Sequence, residues 1–249
     1  MTWHAFPLMA SLTLLLALAG CLLLLVRRTR WARVCLWASG LVMAVFVGGL
    51  WLTLHRPPLR TLGETRLWYG FFLLTAGFAA GRVCRLRWLP LLTTLMAAVF
   101  WALNILQPQQ HDQTLVPALQ SPWFVPHVAI YMLAYALLAC AALSTLSNRP
   151  AATRAVSRLM LPATALLTLG MLTGAVWAHL AWGDFWTWDP KETWAAATWC
   201  AALLYLHRRP LGLSPGSGRL LVWLTFLLMQ MCWYGYRWLP WLPKGLHDY

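Results

Sequence analysis

Stretches of about twenty apolar residues recur from one end of this chain to the other, from "FPLMASLTLLLALAGCLLLLV" to "LLVWLTFLLMQMCWYGY". A run of that length, coiled as a helix, crosses the roughly 30 Å hydrocarbon core of a bilayer. A helix also satisfies its backbone donors and acceptors internally, which an open strand in lipid does not. Only 10% of the 249 residues are charged and 61% are hydrophobic, far from the roughly 25% charge of a soluble domain. The chain therefore reads as an all-α polytopic integral membrane protein, a single membrane domain over 1–249. Eight transmembrane helices are expected near residues 6–26, 32–54, 67–84, 88–106, 124–145, 159–181, 191–208 and 220–237. The first run has no Lys or Arg before it and ends in "RRTR" without an A-x-A site. It reads as a retained helix with its N-terminus outside rather than a cleaved signal peptide.

A net charge of +13 invites a nucleic-acid reading, and the distribution of the charge answers it. Alternate connections carry "RRTR" with Arg33, "GRVCRLR", "NRPAATRAVSR" and "RRPLGLSPGSGR", which together hold 13 of the 19 basic residues and no acid. The other side holds six bases and every acid: Glu64, Asp112, Asp184, Asp189, Glu192 and Asp248. This is the positive-inside pattern of a membrane protein. Eight spans with both termini outside satisfy it, whereas seven or nine strand a terminus or a basic loop on the wrong side. Nucleic acid is not an expected partner.

Cys21, Cys35, Cys84, Cys140, Cys200 and Cys232 fall in or beside the apolar runs, with no C-x-x-C or C-x-x-C-H among them. A thiol–disulfide carrier and a c-type cytochrome are both disfavoured, and the cysteines read as packing residues.

The stretch "WGDFWTWDPKETW", 182–194, puts four tryptophans and three of the six acids into thirteen residues. Asp189, Pro190 and Glu192 form a helix-start signal, with Asp as N-cap, Pro at the first helical position and Glu three residues after the cap. The aromatic rings have a bland account as interfacial anchors. "WGDFW" nevertheless offers more ring surface than anchoring needs, and a flat conjugated ligand fits such a platform. Gly183 permits a sharp turn or a close approach there.

Ionisable residues in or beside membrane helices are functional candidates. His127 lies just inside the fifth span and His247 past the eighth, both on the outer side. Two neutral imidazoles facing a haem iron are a known axial pair, and a zinc site is an alternative from the same atoms, although the usual tight ligand spacing is missing. His207 lies seventeen residues along the helix from Pro190, about 25 Å away, near the inner face. It belongs to a second site, or else it is a helix-end histidine favoured by the C-terminal dipole and headgroups. His179, one turn before the tryptophan stretch, competes as an outer ligand or is a satisfied helix-end residue. His55, His4 and His111 read as ordinary external polar residues.

"WGDFWTWDPKETW" followed by "TWCAALLYLHRR" resembles the tryptophan-rich WWD signature of haem-handling proteins, and within that group the CcsA (ResC) type of cytochrome c biogenesis protein. "LVPALQSPWFVPHVAIYMLAYALL" is similar to the segment carrying that family's first external histidine, which falls on His127. "GLHDY" is similar to its terminal GLH-x-Y element, placing the second on His247, and "YLH" places the membrane-embedded histidine on His207. "RPPLRTLGETRLWYGFF" is similar to the family's external segment before the third helix, where an acid comparable to Glu64 occurs. The resemblance covers residues 50–249, with 182–194 as the external WWD segment.

The resemblance implies a protein of the bacterial cytoplasmic (inner) membrane that takes haem b at His207. It presents that haem outside on Trp182, Trp186, Trp188 and Asp189, between His127 and His247. An apocytochrome c with a C-x-x-C-H motif then receives it covalently. The implied partners are a CcsB/ResB-type membrane protein and a thiol-reducing thioredoxin-like protein. Arg56, Arg60, Arg66, Arg237, Lys244 and Lys191 are candidates to pair with haem propionates, Arg60 and Arg66 first among them. A haem exporter without attachment activity and an electron-transfer cytochrome b are the rival readings. The chain is short for the family. Sibling families with the same signature differ in span number or size.

Overall fold

This is a computed structural model describing residues 1–111, 115–235, 239 and 245–247. Asp112, Asp248, Arg237, Lys244 and the expected end of the last span lie outside the described residues. Regular structure among the described residues is helical throughout. The eight helices are α1 (Phe6–Leu25), α2 (Thr29–Leu54), α3 (Leu62–Val83), α4 (Leu89–Leu106), α5 (Phe124–Ser144), α6 (Pro150–Trp182), α7 (Pro190–Leu206) and α8 (Pro215–Trp233). Short 3-10 turns occupy Trp3–Ala5, Pro108–His111 and Pro117–Gln120.

Five of these segments, Trp3–Leu25, Thr29–Leu54, Leu89–Leu106, Phe124–Ser144 and Ala152–Trp182, are long and apolar enough to cross a membrane. Their outward faces agree with that. Leu8, Leu15 and Leu22, two turns apart on α1, are 72%, 66% and 59% exposed. Such a stripe suits hydrocarbon and is costly in water. The protein is a helical membrane protein.

Two compact units divide the chain, one built from Met1–Leu115 with Arg149–Ala155, the other from Val116–Asn148 with Val156–Tyr249. In the first, α3 lies antiparallel to α4, and small residues let them close. A Cβ at Gly70 would collide with the Trp101 indole, and one at Gly81 would lie 2.7 Å from Pro90 Cδ. Phe6 of α1 packs edge-on against Trp101 and tilted against Phe46 of α2. In the second unit, Trp199 of α7 donates to Thr168 Oγ1 of α6 at 2.9 Å, and Trp223 of α8 to Thr145 Oγ1 just past α5 at 2.9 Å. Half-buried indole donors thus find acceptors on the neighbouring segment.

Helix limits differ from the apolar runs wherever a cap lies beyond the apolar slab. α3 starts at Leu62, not 67, because Thr61 and Glu64 form a capping box. α8 starts at Pro215, not 220, because Ser214 accepts from Ser217 N at 3.2 Å. α6 starts at Pro150, not 159, and runs through Pro162 for 33 residues. Most of the basic connection "NRPAATRAVSR" is thus helix, since hydropathy marks where a helix meets lipid and not where its hydrogen bonding stops. α7 ends at Leu206 with His207 as its C-cap, two residues short of the apolar estimate.

Candidate functional site

The second unit gathers its chemistry at the start of α7. Asp189 caps the helix in extended conformation (φ −61°, ψ 166°), and its side chain accepts from Glu192 N at 2.8 Å. Glu192 Oε2 accepts in return from Asp189 N at 3.3 Å and from Thr187 N at 2.7 Å. The sequence signal for a capping box is met in full. Asp189 has a second oxygen to spend, and its Oδ2 lies 2.5 Å from His247 Nδ1. Burial works to raise the Asp189 carboxyl, but the hydrogen bonds from the His247 ring and from the Glu192 and His247 backbone outweigh it and hold it below the ordinary carboxylate value. Asp189 therefore accepts, and His247 Nδ1–H donates.

His127 is held in the same way by a different acceptor. Its Nδ1 lies 2.8 Å from the carbonyl oxygen of Gly170 on α6. A carbonyl only accepts, so Nδ1 carries the proton. Small residues on α6 make room for the ring, since a Cβ at Gly174 would sit 2.6 Å from His127 Nδ1. Gly170 and Gly174 form a small-xxx-small pair, the spacing that lets two membrane helices approach closely.

In both histidines the engaged Nδ1–H leaves Nε2 bare and basic. Metal-ligating histidines are prepared in this way, with the distal N–H on a carboxylate or carbonyl that fixes tautomer and orientation. His207 repeats it at the opposite end of α7, exposed, with Nδ1 2.9 Å from Leu203 O. Seventeen helical residues at 1.5 Å each separate it from Asp189 by about 25 Å. His207 and His247 therefore lie at opposite ends of one helix.

The rings around His127 and His247 converge on a residue outside the tryptophan-rich stretch. Trp177 of α6 is 1% exposed. Its indole lies 5.6 Å from the His127 ring at 22°, 5.3 Å from His247 and 4.8 Å from Trp182. Trp182 in turn packs 4.8 Å from His247. Beside it opens a cleft of about 320 Å³ lined by Val116, Pro117, Ala118, Ala181, Trp182 and Leu246.

Trp186 and Trp188 pack against each other instead, edge to face at 5.6 Å. Trp188 is 68% exposed and has a left-handed backbone (φ +59°), an uncommon state for a bulky residue. The Trp186 Nε1–H is buried with no acceptor among the described residues. His179 is exposed, its ring stacked on Phe185 at 4.1 Å and its Nδ1 2.8 Å from Gly183 O.

Asp189, Glu192 and His247 also bring three possible metal-ligand atoms within 4.8 Å of one another. Both carboxylates are already spent on backbone N–H groups and His247, so this group is satisfied without a cation.

Two of the propionate candidates, Arg56 and Arg66, are engaged within the first unit. Arg56 makes a two-pronged pair with Glu64, at 2.8 and 2.9 Å. Arg66, 5% exposed, donates to Gln107 Oε1 at 2.9 Å. His111, expected as an ordinary polar residue, is half-buried and stacks on Trp3 at 3.8 Å and 7°. Burial and the nearby Arg66 push its pKa down. Hydropathy gives no sign of this stack, because it joins residues 108 positions apart.

A helical membrane protein with two prepared imidazoles on an indole, beside a tryptophan-rich loop, is the class that fold and site define. The family model of the cytochrome c assembly protein matches residues 5–247, and the chain belongs to that family. It is 27% identical to the cytochrome c biogenesis protein CcsA of Synechocystis sp., over 85% of both chains. To CcsA of Cuscuta reflexa it is 27% identical over 80% of this chain and 78% of the relative. With CcsA of Chlamydomonas reinhardtii it shares 32% identity over 63% of this chain and 48% of the other. Its fold matches the cytochrome c haem lyase CcmF at a TM-score of 0.67 and 19% identity, over 92% of this chain and 46% of that one.

Proposed function

We propose that this protein works in cytochrome c assembly as the haem-presenting subunit of a synthase. Haem is the substrate, taken at His207 and offered between His127 and His247. The observation that carries this reading is the shared preparation of His127 and His247, each with Nδ1–H on a protein acceptor, Nε2 bare, and its ring against Trp177. The donor set fits haem iron, which takes two neutral imidazoles. Trp182 and the cleft beside it offer an apolar wall to a porphyrin edge, and Trp186, Trp188 and Asp189 complete the presenting segment.

The protein needs no strong base for the attachment itself. Each thiol S–H of an apocytochrome adds across a vinyl C=C, sulfur to one carbon and hydrogen to the other, with no net redox change. The residues of this chain supply position. They orient two imidazoles, exclude water with indoles, and let one histidine leave when the substrate's histidine arrives.

The charge pattern supports eight spans with both termini on the outer side, which in a bacterial inner membrane is the periplasm. The partners in this reading are a CcsB/ResB-type membrane protein, an apocytochrome c with a C-x-x-C-H motif, and a thioredoxin-like reductant that keeps its thiols free.

The test is expression with the partner in cells lacking their own cytochrome c assembly machinery. Haem per protein is measured beside covalent haem on a reporter cytochrome. His207→Ala is expected to lower haem loading of the whole protein. His127→Ala and His247→Ala are expected to keep membrane haem, lose attachment and regain part of it with added imidazole. Equal and complete haem loss in all three argues for one site.

A further inference from the structure

We propose that Trp177 is the positioning residue of the outer histidine pair, an indole fixed from behind that sets the orientation of both imidazoles at once. The inference rests on the haem reading above and goes beyond the tryptophan-rich stretch, because Trp177 lies five residues before it, inside α6.

Four observations place it. Among the described residues Trp177 is one of the largest side chains buried to within 2%, so its ring has little freedom. Its Nε1–H donates to the carbonyl oxygen of Ala118 at 2.8 Å, and Ala118 lines the cleft beside Trp182. The indole is thus held by the wall of that cleft. Phe124, one turn before His127 on α5, packs on it at 5.0 Å. Both candidate ligands then lie against it, His127 nearly parallel at 22° and His247 inclined at 62°.

Ligand orientation needs two constraints on each imidazole. The Nδ1 hydrogen bond fixes one point of the ring, to Gly170 O for His127 and to the Asp189 carboxylate for His247. Tilt of the ring about its Cβ–Cγ bond, within the play of one hydrogen bond, remains. A rigid face against the ring closes it, and one indole does so for both. Residues that hold a ligand this way typically change affinity or activity by 10–100-fold when altered.

Trp177→Phe keeps a ring in the pocket but removes the hydrogen bond to Ala118. The matched controls are Trp199→Phe and Trp223→Phe, which each remove one indole hydrogen bond to a threonine of the same unit. All three are expected to accumulate. Only the Trp177 variant is expected to lose reporter attachment, by about tenfold, and to shift the low-spin electron paramagnetic resonance signal of bound haem. Imidazole added to cells is expected to restore part of that attachment, since a free ring does not need the indole to orient it. A Trp177 variant indistinguishable from the controls overturns the inference, as does a loss that imidazole leaves untouched. If the Phe variant fails to accumulate, Trp177→Tyr is read by the same criteria. Attachment lost in His127→Ala and His247→Ala but normal in Trp177→Phe sinks this inference alone, whereas normal attachment in both histidine variants removes the haem reading beneath it.

Discussion

The starts of α3 and α7 use the same local grammar and end in different chemistry. Each has a capping residue and a glutamate three positions on, Thr61 with Glu64 and Asp189 with Glu192, with both reciprocal bonds made. In the first, the spare capacity of Glu64 goes to Arg56, a fork that stays charged and has no lone pair to offer. Glu64 is fully buried and the Arg56 side chain 15% exposed, so this is a sealed structural pair. In the second, the spare oxygen of Asp189 goes to His247, an imidazole whose other nitrogen stays available. A capping box therefore makes a helix start, and its third partner decides what chemistry the start offers.

The largest effect tests the sealed pair. Glu64→Ala removes the cap and leaves Arg56 without its partner, and it is expected to destabilise the protein by about 3–5 kcal/mol. The reading is thermal unfolding in detergent, or accumulation in the membrane. Arg56→Met in the same chain is expected to recover part of the loss, because the stranded charge is then gone. Equal instability in the single and double variants would mean the cap, and not the charge, matters most.

Asp189→Asn sharpens the contrast. The Asn oxygen still accepts from Glu192 N, so protein levels are expected to stay near wild type, within the few tenths of a kcal/mol that separate good caps. The anionic acceptor for His247 is lost, so reporter attachment is expected to fall about 10–100-fold. Asp189→Ala loses both and is expected to cost a further ~1 kcal/mol in unfolding. Normal attachment in the Asn variant would reduce Asp189 to a helix cap, and the two helix starts would then be alike.

Glu192→Gln comes next. Gln serves a capping box nearly as well as Glu, so a loss of about 0.5 kcal/mol and near-normal attachment are expected in the same assays. An attachment loss matching Asp189→Asn would move the functional carboxylate from Asp189 to Glu192.

The smallest effect concerns His111. Burial and Arg66 lower its pKa while Glu64 opposes them. The folded state thus binds fewer protons there than the unfolded one. Its contribution is whole above the ordinary histidine pKa and shrinks as pH falls through it. Acidification from neutral pH is expected to lower the unfolding temperature slightly, and His111→Phe, which keeps a ring for Trp3, is expected to remove that dependence. A wild-type slope in the Phe variant assigns the effect elsewhere.

Eight helical segments, their order, the signature of the α7 start and the chemical candidates His127, His247, His207 and Asp189 were all legible in the sequence. Apolar transfer and capping depend on residues within about one turn of each other, so a linear reading captures them. The T-x-x-E cap of α3 and the Gly170–Gly174 spacing are equally local, each contained within five residues of sequence. Only the tertiary structure decided which acceptors hold His127 and His247, that Trp177 serves both, and that His111 stacks on Trp3. These contacts join groups 43 to 108 positions apart. Which rings meet is set by how helices close on small residues and by rotamers chosen in packing, and neither leaves a periodic trace along the chain.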